Sequence, residues 1–205
     1  MLIDFDKIVR SYGKPKGILH VGANRGQEAK FYNKHGINNV VWVEALGHVY
    51  SDLVSNVAKY GHACINACVS DTEGQKVTFH ESNNEAQSSS FLNLGTHKQA
   101  HPDVHYVKDY EMITTTIESL YKSHNLSGLD MVVMDIQGAE MLALKGMGDL
   151  IKDFKFAYLE VNTGYVYEGC ALLPEIEKYL FKYGFKKAEQ KLFAHWKWGD
   201  ALFIK

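Results

Sequence analysis

Short runs of β-branched and aliphatic residues alternate along this chain with longer segments whose apolar positions recur at helical spacing. The first run, Ile18 to Gly22, follows a turn around Pro15. It leads into a segment of helical period from about Gly26 to His35, where Ala29, Phe31 and Tyr32 supply apolar bulk and Gly36 provides a stop. Val40 to Val43 predicts a second strand with Glu44 at its carboxyl end. A helix from about His48 to Tyr60 should stop at Gly61, and Ala63 to Val69 predicts a third strand. Strand and crossover helix in repetition is the pattern of a parallel sheet covered on both faces.

After residue 70 the rhythm changes. Lys76 to His80 reads as an exposed strand after the Asp71–Gly74 turn, Glu81 to Ser90 as a polar loop, Tyr110 to Thr116 as a strand and Ile117 to His124 as a helix. Such an insertion lies on the carboxyl edge of the sheet, where ligands of open α/β sheets bind, and is a candidate lid or acceptor-recognition element. Regular alternation resumes with strand Met131–Met134, a helix from about Ala139 to Lys145, strand Phe156–Val161 and helix Leu173–Tyr183. Strands Phe185–Glu189 and Ala201–Ile204 can then pair as an antiparallel edge. The pattern predicts one α/β domain over residues 1–205 with about seven strands in its main sheet, a size that can close a single core.

Charge narrows the partners. Lys and Arg number 22 against 24 Asp and Glu, a balance that gives no reason to expect nucleic acid or an anionic membrane as partner. Lys182, Lys186, Lys187 and Lys191 read as a solvated helix end rather than a basic patch. Cys64, Cys68 and Cys170 are odd in number, lack a following Cys or His pair at zinc spacing, and are expected as reduced thiols of a cytoplasmic protein. The acids within Met1–Tyr12 argue against a signal peptide, and no apolar run approaches the ~18 residues of a membrane span, so a soluble protein is expected. Oligomeric state is not legible.

The chemistry gathers at strand ends. Gly22-Ala23-Asn24-Arg25-Gly26 is a glycine-bracketed turn between a strand and a helix, where a ligand can approach the backbone closely. Glu44 ends the next strand 22 residues after Gly22, the place from which an acid accepts hydrogen bonds from a ribose diol. Dinucleotide folds use G-x-G-x-x-G because the backbone must nearly touch a pyrophosphate, but position 24 here is Asn, which favours S-adenosylmethionine over NAD. Asp135, Glu140 and Glu160 join Glu44 as carboxylates at the same edge, with Asn162 beside them. Such acids can orient an acceptor or take up its proton. They could also chelate a divalent cation, but no metal ligand set is predicted.

These segments together resemble a known family. His20–Gln27, Val41–Ala45, Val69–Gly74, Ser88–Leu92, Asp135–Glu140, Leu144–Gly146, Tyr158–Asn162 and Gly199–Leu202 are similar to the FkbM methyltransferases, from about residue 17 to the end. The resemblance implies a Rossmann-like class I methyltransferase sheet. Gly22, Asn24 and Gly26 would flank the methionyl part of S-adenosylmethionine, with Ala23 in the same turn. Glu44, followed by Ala45, would take the ribose hydroxyls, Val69 and Ser70 would lie near the adenine, and Asp135 close to the sulfonium and acceptor. It also implies O-methylation of a small molecule or sugar, with S-adenosylhomocysteine as product. The family usually carries an acid where this chain has Gln137, which removes a carboxylate from the central motif.

Methyl transfer is an in-line displacement, in which the protein aligns the reactants and manages the hydroxyl proton. Asp135 is the leading candidate at the acceptor, with Glu140, Glu160 and Asn162 in support. His20 reads as a core histidine and His195 as part of a hairpin. Ser88, Ser89 and Ser90 either contact the cofactor or acceptor or belong to a flexible polar loop; Tyr158, Tyr165 and Tyr167 either frame the acceptor or pack. Two rival readings are a catalytically silent nucleoside-binding protein and an NAD-dependent oxidoreductase.

Overall fold

The structure is a computed structural model describing residues 1–205. Its main sheet has seven strands, β1 (Gly17–Val21), β2 (Asn39–Glu44), β3 (Ala63–Asn66), β7 (Met131–Met134), β8 (Phe156–Asn162), β9 (Lys186–Phe193) and β10 (Trp198–Ile204). Their order is β3-β2-β1-β7-β8-β10-β9. The first five are parallel, and β10 runs antiparallel between β8 and β9. The chain winds outward from β1 in one direction to β3, then returns to lay β7 on its other side. That reversal opens a crevice at the carboxyl end of β1.

Period-two alternation divides the sheet between two cores. Leu19, Val21, Val41, Val43, Val132, Met134, Leu159 and Phe203 face α5 (Ile117–Ser123), α6 (Glu140–Lys145) and α7 (Leu173–Phe181). Ile18, Val40, Trp42, Met131, Val133, Tyr158 and Leu202 face the other way. They pack against α1 (Phe5–Tyr12), α2 (Ala29–Lys34) and α3 (Gly47–Val57). Both faces are covered, so the central strands read as continuous apolar runs.

Several boundaries differ from the sequence expectation. The segment Ala63–Val69 is not one strand: the ladder with β2 ends at Asn66, where the Asn66 side chain bonds the carbonyls of Glu44 and Ala45. The chain then turns out of the sheet, and β4 (Cys68–Val69) pairs with β6 (Tyr106–Thr115). With β5 (Lys76–Ser82) these strands form a separate three-stranded sheet, which is the predicted insertion. A further short helix, α4 (His97–Ala100), lies within it. Helix α1 was not anticipated; its amphipathic stretch is only two turns long, but Asp4 caps it and Phe5 and Ile8 bury. Lys186, Lys187 and Lys191 lie on the edge strand β9 rather than at a helix end, with Lys187 2.5 Å from Glu177. Charge on an exposed edge discourages pairing with another sheet. No helix is long and apolar enough to cross a membrane.

Candidate functional site

On the α1–α3 face of the sheet, each apolar row turns polar as it nears the carboxyl edge. Ile18 gives way to His20, Trp42 to Glu44, Val133 to Asp135 and Tyr158 to Glu160; Asp200 continues the row on the antiparallel β10. Above this edge lies a cavity of about 450 Å³, in the range of pockets that enclose small ligands.

Backbone geometry builds the cavity floor. Gly22 has φ 79°, and its N–H and that of Ala23 both donate to the Val43 carbonyl at 2.9 and 3.0 Å. A Cβ at Gly22 would stand 1.9 Å from the Asp135 carbonyl oxygen, so glycine is required where β1 is wedged between its neighbours. Asn24 has φ 45°, a conformation that asparagine tolerates. Its N–H donates to Glu44 Oε2 at 2.9 Å while the Leu46 N–H donates to Oε1, also at 2.9 Å. Glu44 is thus held from both sides. Burial pushes its carboxyl up to about 7, and these backbone donors oppose that rise.

The second half of the site centres on Gln137, at φ 56°. Its Nε2 donates to Asp135 Oδ1 at 2.5 Å and Glu160 Oε2 at 3.0 Å, and its Oε1 accepts from the Tyr167 hydroxyl. One amide therefore spaces two carboxylates. Burial, then the nearby Asp200 charge, raises Asp135 to about 6. Glu160 is driven well above the usual carboxylate range by burial and by Asp135, Glu140 and Asp200. Asp200 accepts from the Tyr158 hydroxyl and, at 2.5 Å, from the Leu2 N–H.

Of the residues singled out in the sequence, Gly22, Ala23, Asn24, Glu44 and Ala45 line the cavity. Val69, Asp135 and Glu160 do so as well. Five others stand outside its wall. Glu140 turns back to accept from the N–H groups of Ile136 at 2.9 Å and Gly138 at 3.3 Å, capping the turn after β7. Gly26 makes room for Leu53 and Val57. Ser70 lies under Gly146, and Ser90 donates to the Gln137 carbonyl. Asn162 is 1% exposed, and neither its Oδ1 nor its Nδ2 has a partner. The four carboxylates expected to converge are therefore three, with Glu140 in a local structural role.

The serine segment is folded inward rather than loose. Ser89 Oγ accepts from the Ser82 N–H and Ser82 Oγ from the Ser88 N–H, both at 3.0 Å, and Ser88 and Ser89 enter the cavity wall. His20 is a core histidine, 3.0 Å from the Tyr32 hydroxyl and stacked on Trp42, with burial lowering its pKa to about 4. His195 lies in the β9–β10 hairpin. Tyr158 packs and bonds Asp200, Tyr165 is exposed, and Tyr167 reaches the cavity.

Asp200, Trp198 and His97 also line the cavity and were not predicted. Asp200 sits in the Gly199–Leu202 motif already noted, but only the antiparallel register brings it back beside Glu160. Nothing in the sequence marks His97.

The family model described as the methyltransferase FkbM domain matches residues 20–187. No curated protein matches the sequence. Among solved structures, M. capricolum TrmK in complex with S-adenosylhomocysteine is 8% identical with a TM-score of 0.52, covering 100% of this chain and 69% of that one. The methyltransferase domain of bacterial CtHen1 is 10% identical at a TM-score of 0.52, with 98% and 95% covered. A Streptococcus agalactiae protein of the NADB-Rossmann superfamily is 11% identical at 0.52, with 100% and 69% covered. At such identities the likeness is one of fold.

Proposed function

The chain belongs to the FkbM methyltransferase family, and on that footing we propose that it transfers a methyl group from S-adenosylmethionine to a hydroxyl of a small molecule or sugar. The carrying observation is Glu44, pinned by the Asn24 and Leu46 N–H groups beside the Gly22 turn, in the same cavity as Asp135.

The residues present fit the cofactor. Glu44 has spent only part of its acceptor capacity on backbone, so its remaining lone pairs are available to a ribose diol. Gly22, Ala23 and Asn24 offer close backbone approach for the methionyl group, and Ala45, Cys68, Val69 and Phe79 an apolar slot for the adenine. The bound cofactor supplies an electrophilic methyl on a sulfonium. Asp135 stands at the junction of the two halves of the cavity, held by Gln137 against Glu160. There it orients the acceptor hydroxyl and accepts its proton as the oxygen attacks. Glu160 supports Asp135 through the shared Gln137 amide, and one domain carries the whole reaction.

Calorimetry with S-adenosylhomocysteine tests the cofactor assignment: saturable binding is expected, and none at millimolar ligand overturns it. Incubation with methyl-labelled cofactor and fractionated extracts should place label on an oxygen.

A further inference from the structure

Five carboxylates line the cavity, Glu28, Glu44, Asp135, Glu160 and Asp200, and no lysine or arginine does. Glu44 is engaged by backbone donors and Glu28 by the Met1 ammonium at 3.5 Å. Asp135, Glu160 and Asp200 remain, the first just past the end of β7 and the others on β8 and β10, with Glu160 and Asp200 direct partners in the antiparallel register. Their donors are all neutral: the Gln137 amide, the Tyr158 hydroxyl and the Leu2 N–H. Every hydrogen bond to Glu160 falls on Oε2 and every one to Asp200 on Oδ2, which leaves Oε1 and Oδ1 free. S-adenosylmethionine brings a single net positive charge, too little for this group. The Met1 ammonium in the same wall is held by Glu28 and makes no hydrogen bond to Asp135, Glu160 or Asp200; it favours the charged forms of Asp135 and Asp200 only through space. Buried carboxylates with so little counter-charge are costly.

A second feature of the same wall calls for a polar partner. His97 is 6% exposed, its Nδ1 has no partner, and it lines the cavity beside Tyr167. Burial, then the neighbouring His101, lowers its pKa to about 4, so near neutral pH the ring is uncharged, with one nitrogen a donor and the other an acceptor. Trp198, two residues before Asp200 and on the same face of β10, adds an aromatic surface to which cations are drawn.

We propose that the methyl acceptor carries an ammonium group, which seats between Glu160 and Asp200 and anchors the molecule while a hydroxyl elsewhere on it meets Asp135. This rests on the reading of the cavity as a methyltransferase site. It disfavours phosphorylated and carboxylated acceptors, for which the wall offers no lysine or arginine. The ammonium replaces protons that Glu160 otherwise holds under the influence of Asp135, Asp200, Glu140 and the Gln137 amide. Binding near neutral pH therefore releases protons.

The test uses three probes of one scaffold, phenethylamine, 2-phenylethanol and phenylacetate, titrated by calorimetry into the full chain saturated with S-adenosylhomocysteine, with chelator throughout. Phenethylamine is expected to bind at least about tenfold tighter than the alcohol, and phenylacetate weakest. Its apparent enthalpy should vary with buffer ionisation enthalpy as protons are released. In Asp200→Asn and Glu160→Gln the preference should fall to within about twofold, while retained S-adenosylhomocysteine binding shows both variants folded. Equal or weaker binding of the amine, or a preference unchanged in both variants, overturns the anchor. Failure of S-adenosylhomocysteine itself to bind overturns the methyltransferase reading instead.

Discussion

Glu160 and Asp200 stand directly opposite each other across the antiparallel β8–β10 pair, both more than nine-tenths buried. Like charges directly across a strand pair repel, and a fold selected for stability alone would not place them so. Their position at the carboxyl edge, beside Asp135, gives the arrangement a functional sense. Four predictions follow from the surrounding geometry.

Glu44→Gln replaces one of two carboxylate acceptors by an amide and disrupts the paired grip of Asn24 and Leu46. Affinity for S-adenosylhomocysteine should fall roughly 10- to 100-fold, the worth of hydrogen bonds to a charged group. Calorimetry measures it, and an unchanged affinity removes Glu44 from the ribose site.

Asp135→Asn should lower turnover by on the order of 100-fold or more while S-adenosylhomocysteine binds within a few-fold of wild type. Because burial and Asp200 raise Asp135 to about 6, the wild-type rate should climb as pH rises through 6, where the carboxylate forms, and then level. An active variant, or a rate that is flat across this range, is incompatible with Asp135 as the proton acceptor.

Stability of the ligand-free protein should decline as pH rises from 6.5 to 8. Burial raises Glu44 and Glu140 to about 7 and drives Glu160 well above the usual carboxylate range. Over this interval the folded chain therefore holds protons that the unfolded chain, with carboxyls near 4.5, has already lost. More protons on the native state means stability falls with pH. The buried His20 and His97, lowered to about 4 from 6.5, oppose the trend chiefly below 6.5, and their effect fades as pH rises above it. Urea denaturation at the two pH values decides the sign.

Gly22→Ala should destabilise the fold by about 2 kcal/mol or more, since alanine is strained at positive φ and its Cβ would strike the Asp135 carbonyl. Glu140→Ala should cost a comparable amount, because two N–H groups at the turn after β7 lose their acceptor. Glu140→Gln, which keeps an acceptor oxygen there, should cost less. Denaturation midpoints of the three variants test both claims, and a Glu140→Ala protein as stable as wild type would refute the capping role.

The order of the main-sheet strands and of the helices that cross between them, the two-sided sheet, the Gly22 turn and the placement of Glu44 and Asp135 at strand ends were legible in the chain, because each is a local signal. Apolar periodicity reports burial on one face, and a glycine followed by a helix reports a turn. What only the tertiary structure decided is where those side chains point and which distant strand lies beside them. Glu140 reads as one more acid of the crevice, but the turn after Asp135 directs it onto backbone N–H groups. Ala63–Val69 reads as one strand, yet Cys68 and Val69 find a better partner in β6. Asp200 joins the site because β10 inserts antiparallel between β8 and β9, a choice made by long-range pairing. No local pattern encodes that pairing, so the carboxylate group on β8 and β10 became visible only once the strands were in register.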